Sequence, residues 1–262
     1  MKALQEAGFF DDHEPHKLVL CGDLLDRGVE ANKLIDFMID LMEQDMLIYI
    51  SGNHEVLFFR CLQELASGGV HRIASGMSYH YQNKTWDTLL QIGNMTELEA
   101  YQYPNELISR VMNSSFYKRL LPTCLNYYET KNYIFVHGWI PCLTEGVRPY
   151  TWYSYNSEWR IEDAEAWREA CWYNGMNLAC NFHIIEVGKT IVCGHWHTSY
   201  GHAKFENKGS EMNEDADYSP FYGEGIIALD SCAARSGFVN VIIINDEVLD
   251  DANHVTFEKY GS

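Results

Sequence analysis

Four separate apolar runs in this chain each end on a polar, metal-competent residue beside glycine, and that repetition restricts the fold more than any other feature. Lys17-Leu-Val-Leu-Cys21 runs into Gly22-Asp23, and Leu47-Ile-Tyr-Ile50 runs into Ser51-Gly52-Asn53-His54. Tyr133-Ile-Phe-Val136 ends at His137-Gly138, and Thr190-Ile-Val-Cys193 ends at Gly194-His195-Trp196-His197. Short apolar runs bounded by turn residues read as buried strands. Between the first two runs, Leu34, Ile35, Met38, Ile39, Leu41 and Met42 recur at helical spacing. Strand, helix and strand in that order make a βαβ unit of a parallel sheet. In open α/β sheets ligands bind beyond the carboxyl ends of the strands, so the four ends are expected to share one crevice. Glycine lets backbone and ligand approach there where a Cβ would crowd them. A carboxylate, an amide oxygen and imidazoles suit Mn, Fe or Zn and do not suit a soft thiolate site.

The remaining chain is read around those ends. Residues 1–7 look like the last turns of a helix stopped by Gly8. Residues from about 56 to 130 read as a helical insertion or cap. The segment 150–177 is rich in Trp and Tyr, and core is the expected use of so many aromatics. Gly225-Ile-Ile-Ala-Leu229 leads to Asp230, and the chain from Phe238 onward reads as a terminal hairpin. With no internal repeat and no long linker, one domain spanning 1–262 is expected.

Charge and composition exclude several functions. The 262 residues carry 19 basic against 37 acidic side chains, a net charge of −18. Such a surface repels a phosphate backbone, so a nucleic-acid partner is not expected. An anionic substrate needs a local positive charge, from bound metal or a placed Arg. No stretch approaches the roughly 18 to 20 apolar residues of a membrane span, and no signal peptide is visible. The eight cysteines form no Cys-x-x-Cys pair and read as reduced thiols, which points to the cytoplasm.

Gly22-Asp23-Leu-Leu-Asp26-Arg27-Gly28, Gly52-Asn53-His54-Glu55, Val136-His137-Gly138 and Gly194-His195 together resemble the calcineurin-like metallophosphoesterases. The Asp-Arg-Gly form of the first block is similar to the branch of serine/threonine phosphoprotein phosphatases and symmetrical diadenosine tetraphosphatases. The resemblance runs from Lys17 to Ile244. It implies a four-layer α/β/β/α fold, two packed mixed sheets flanked by helices, and two divalent metal ions. It makes Asp23 the carboxylate shared by both metals, with Asn53, His137 and His195 completing the second metal's shell. It makes His54 the proton donor to the leaving oxygen, held by Asp26, and Arg27 a clamp on phosphate, for which a guanidinium fork is well shaped. Water would attack phosphorus in line, without a covalent intermediate. Glu55 is read as a helix-start residue and not a ligand. Arg160 and Arg168 are candidates for a second phosphate-binding arginine, and Asp230 is either a supporting group or a turn residue.

The family pattern begins with an Asp-x-His-Gly block, and these 262 residues contain none. The expectation is therefore an N-terminally shortened domain that binds at least one of the family's two metals, with His197 as a candidate ligand for the other. The leading function is hydrolysis of phosphomonoesters, on a phosphorylated protein or a small phosphoester. The alternatives are a dinucleoside polyphosphate hydrolase and a catalytically impaired phosphate-binding protein. No membrane partner is expected.

Overall fold

The computed structural model describes residues 1–11, 14–146 and 151–247. The described chain divides into two compact units, a helical unit at Lys17–Cys124 and a sheet unit formed by Met1–His16 with residues 125–247. Helix α1 (Lys2–Glu6) opens the sheet unit, and Gly8 follows it at φ +77°, in agreement with the expected stop.

In the helical unit, β1 (Leu18–Cys21) and β2 (Leu47–Ile50) pair in parallel with Leu18 opposite Leu47 and Cys21 opposite Ile50. Between them α2 (Ala31–Glu43) buries Ile35, Met38, Ile39 and Leu41, the helical stripe that the spacing predicts. A helical run follows: α3 (Asn53–Ala66), α4 (Val70–Ile73), α5 (Tyr79–Gln82), α6 (Thr85–Gly93), α7 (Glu97–Gln102) and α8 (Pro104–Asn113). Local chemistry sets several of these ends. Thr96 and Glu99 cap α7 reciprocally, and Pro104 opens α8, where a missing N–H costs nothing. Trp86, Leu89, Leu107 and Val111 are fully buried, and Phe58 meets Phe116 edge-on at 5.1 Å.

The sheet unit is built on five strands in the order β3-β4-β7-β9-β8. These are β3 (Tyr128–Glu129), β4 (Tyr133–Phe135), β7 (Thr190–Cys193), β8 (Phe221–Gly223) and β9 (Ile226–Ala228). The three central strands β4, β7 and β9 are parallel, and β3 and β8 run antiparallel at the edges. A separate antiparallel pair joins β5 (Leu143–Glu145) to β6 (Trp152–Ser154). Helices α9 (Ala164–Ala170), α10 (Gly175–Phe182), α11 (Thr198–Phe205) and α12 (Ala233–Ser236) complete the unit. Its core is aromatic: Trp139, Trp159 and Trp167 are buried, and Tyr127 stacks on Trp167 at 5.3 Å. The Trp-rich segment is mostly core, as expected, although Trp152 is exposed on β6.

The architecture is mixed α/β, with several sheets flanked by helices, which is the expected class. Two boundaries differ from the sequence reading. The helical run gives way to strand at Tyr128–Glu129, just short of the expected end. Residues 238–247 form no strand and serve as a tie. Asn240 donates to the Tyr218 and Leu229 carbonyls, and Asp246 accepts from Thr130 and from the Asn132 backbone, both at 2.7 Å. The rest of the expected hairpin, from Val248, lies outside the described residues. No disulfide joins any of the eight cysteines, and burial pushes the Cys21 thiol up to about 12. No helix among the described residues is long and apolar enough to cross a membrane.

Candidate active site

In the helical unit, the first two strand ends and the start of α3 gather one group of side chains. The chain turns sharply after β1, with Gly22 at φ +81° and Asp23 at φ +54°, a region that costs a non-glycine residue roughly 1–3 kcal/mol. Asp23 Oδ1 accepts the His54 backbone N–H at 3.0 Å, so the carboxylate is joined to the first turn of α3. Asn53 is buried beside it on the same turn. The His54 side chain is buried, with Nδ1 2.6 Å from Asp26 Oδ2 and Nε2 3.9 Å from Asp23 Oδ2. Asp26 is ionisable and its side chain is 3% exposed. The carboxylate fixes the imidazole tautomer by accepting the Nδ1 proton, which leaves Nε2 as the working atom. Arg27 Nη2 lies 3.3 Å from that Nε2, and Arg27 itself is exposed at the rim. Burial pulls His54 down, but the Asp26 hydrogen bond and the charges of Asp23 and Asp26 outweigh it. Its pKa therefore lies above the ordinary histidine value.

Glu55 does more than begin a helix. It is buried, its Oε2 accepts the Gly52 N–H at 2.6 Å and the Asp23 N–H at 3.1 Å, and its Oε1 accepts the Leu24 N–H at 3.1 Å and the Tyr49 hydroxyl at 2.7 Å. One carboxylate caps α3 and also fixes the turn that presents Asp23. The helix-start reading found the first role. The second depends on a pairing 32 residues apart, for which the local sequence carries no sign.

In the sheet unit, the parallel strands end level with one another. The Gly194 N–H donates to the His137 carbonyl at 2.8 Å, and the Leu229 N–H donates to the Cys193 carbonyl at 2.9 Å. This register sets His137, beyond β4, beside His195, beyond β7, with ring centroids 5.1 Å apart. His195 adopts φ +63°, and Trp172 meets its ring edge-on at 6.0 Å. Gly138 is required by close packing: a Cβ there would lie 2.4 Å from the Ala170 carbonyl oxygen. Asp230, beyond β9, accepts the Thr198 N–H on its carbonyl and the Cys232 N–H on its side chain.

The other candidates are engaged elsewhere in the sheet unit. His197 stacks on Trp196 and its Nε2 lies 3.1 Å from Glu211 Oε1. Arg160 spans Glu129 and Glu186 at 2.7 and 3.0 Å and lies over the Trp159 ring, so its guanidinium belongs to an internal ion cluster with Lys189. Arg168 sits in the last turn of α9.

The family model for calcineurin-like phosphoesterases matches residues 1–199, a stretch that contains all four strand ends. The chain belongs to that family. No curated protein and no solved structure matches it. Membership in the calcineurin-like phosphoesterases brings metal-dependent phosphoesterase chemistry, and divalent metals are general in the family. Each unit carries donor types that suit a divalent ion: paired strand-end imidazoles in the sheet unit and, in the helical unit, a carboxylate with a buried amide, all nitrogen or oxygen donors of hard to borderline character.

Proposed function

We propose that this calcineurin-like phosphoesterase hydrolyses phosphomonoesters, with phosphorylated Ser or Thr in a protein as the substrate class. The observation that carries the reading is the His54 arrangement. A carboxylate fixes its Nδ1, while Nε2 is presented beside a guanidinium. Asp23, Asn53, His137 and His195 would hold a divalent ion of the Mn, Fe or Zn class. When bound, that ion supplies Lewis-acid polarisation of the phosphoryl group and activation of water. Arg27 binds a phosphoryl oxygen and orients the ester. His54, protonated at Nε2, gives that proton to the departing oxygen, and Asp26 stabilises the charged imidazole throughout. General-acid help of this kind is worth about 10² to 10⁴-fold.

His197, the further candidate ligand, has its Nε2 3.1 Å from Glu211 Oε1. Eight cysteines, none in a disulfide, support a reducing compartment such as the cytoplasm. The test is hydrolysis of a phosphoserine peptide, diadenosine tetraphosphate and para-nitrophenyl phosphate with added Mn²⁺, each repeated with His54→Asn. Phosphopeptide turnover that falls with His54→Asn supports the proposal. Preference for the dinucleotide reassigns the substrate, and metal binding without turnover of any of the three identifies a phosphate-binding protein.

A further inference from the structure

The loop that carries Asp26 and Arg27 is held along its length by α6 and the residue two places before it. Thr85 Oγ1 donates to Asp26 Oδ2 at 2.7 Å, and Thr88 Oγ1 donates to Asp26 Oδ1 at 2.6 Å. One turn further, Gln91 Oε1 accepts the Ala31 N–H and its Nε2 donates to the Gly28 carbonyl, each at 2.9 Å. Ahead of the helix, Arg27 Nη2 donates to Asn83 Oδ1 at 2.8 Å. Positions 85, 88 and 91 are three apart, so they lie along one side of the helix. That side meets the loop, and Asp26 and Arg27 are both in the left-handed region, at φ +75° and +62°.

A buried carboxylate needs partners for both oxygens. His54 satisfies only one of them, and the two threonine hydroxyls complete the set. They also fix the direction from which Asp26 faces His54, since Oδ2 receives Thr85 and His54 together. Asn83 acts in the same way on Arg27, restricting a long side chain that is otherwise exposed.

We propose that Thr85, Thr88 and Asn83 are positioning residues for phosphoester hydrolysis. The threonine pair aims Asp26 at His54, and Asn83 aims Arg27 at the phosphoryl oxygens. This rests on the roles given to His54 and Arg27 under the proposed function. The test uses the full chain with Mn²⁺ and para-nitrophenyl phosphate. Thr85→Val/Thr88→Val is expected to lower kcat by about tenfold or more with KM within about twofold, since a misaimed catalytic group loses rate before it loses binding. Thr88→Ser, which keeps the hydroxyl, is expected to retain most of the rate. Placed on His54→Asn, the valine pair is expected to add almost no further loss, because Asp26 then has no imidazole to aim.

Asn83→Ala is expected to raise KM and to weaken inorganic phosphate in calorimetry by about fivefold, with kcat nearly unchanged. An equal loss on the wild-type and His54→Asn backgrounds, or a lowered melting temperature with kcat intact, overturns the threonine assignment and leaves only helix packing. If the wild-type chain binds phosphate but hydrolyses no phosphoester, the proposed function fails and the threonine roles fail with it. Phosphate calorimetry on Asn83→Ala still decides the Arg27 clamp, and unchanged affinity overturns it. A chain that neither hydrolyses esters nor binds phosphate overturns both readings.

Discussion

The two units hold their site residues by different means. In the helical unit, side chains hold side chains: Asp26 and Glu55 accept hydrogen bonds from several parts of the sequence, and His54 and Asp23 are fixed by them. In the sheet unit, the backbone register of β4, β7 and β9 sets where His137 and His195 emerge. The difference teaches where each unit is fragile. A network of charged hydrogen bonds is lost by changing one partner, because the partner left behind is buried and unsatisfied. A strand end tolerates loss of its terminal side chain but not an intrusion into the packing beneath it.

The largest effect tests the sheet unit. His137→Ala/His195→Ala is expected to abolish hydrolysis and to lower bound transition metal below about a tenth of an equivalent, with the far-UV spectrum unchanged. Elemental analysis and circular dichroism measure both. A lost spectrum would show that the imidazoles also support the strands, and the comparison would break.

The counterpart in the helical unit is smaller and leaves the metal in place. His54→Asn is expected to lower kcat by about 10² to 10⁴-fold with metal content unchanged. The pH profile sharpens this. His54 titrates above the ordinary histidine value, so its transferable proton is retained to higher pH and the rate falls as pH rises through that value. Asp26→Asn removes the strongest upward influence and is expected to move the fall to lower pH.

Stability should separate two types of damage within the sheet unit. Gly138→Ala places a methyl group against the Ala170 carbonyl oxygen and is expected to cost about 1–3 kcal/mol or more in urea unfolding. Glu129→Gln probes an ion cluster within the sheet unit, where Arg160 and Lys189 both meet this carboxylate. Burial raises the Glu129 pKa, but hydrogen bonds from Arg160 and Lys189 outweigh that, and the group ends below the ordinary glutamate range. Its contribution is therefore present above the unfolded-state value and lost as pH falls through the folded one. The substitution is expected to cost about 1.5–3 kcal/mol at neutral pH and progressively less in acid. An unchanged pH dependence would remove the cluster from the account.

Smallest is the exposed pair of Lys17 with Asp45, 2.6 Å apart at the entry to β1. Lys17→Ala is expected to change stability by less than about 1 kcal/mol, because solvent screens the pair and both side chains give up rotamer freedom to form it.

The sequence by itself determined the strand ends. An apolar run and the glycine beside its last residue are neighbours in the chain, so Asp23, Asn53, His137 and His195 were visible without any knowledge of contacts. So were the βαβ order around α2 and the stop at Gly8. Tertiary structure decided which side chains hold those residues in place. Thr85 and Thr88 meet Asp26 across 59 and 62 residues of chain, and within the expected helical insertion nothing in the local sequence marks them out. Arg160 could be nominated for phosphate by its type alone, yet folding commits it to Glu129 and Glu186. Residues 238–247 open on the apolar run of a strand, yet they form none, and Asn240 and Asp246 instead hydrogen-bond to the sheet unit. The physical reason is common to all three. Period and punctuation act over a few residues, whereas the partner of a buried charge or amide is chosen by which surfaces the folded chain brings together.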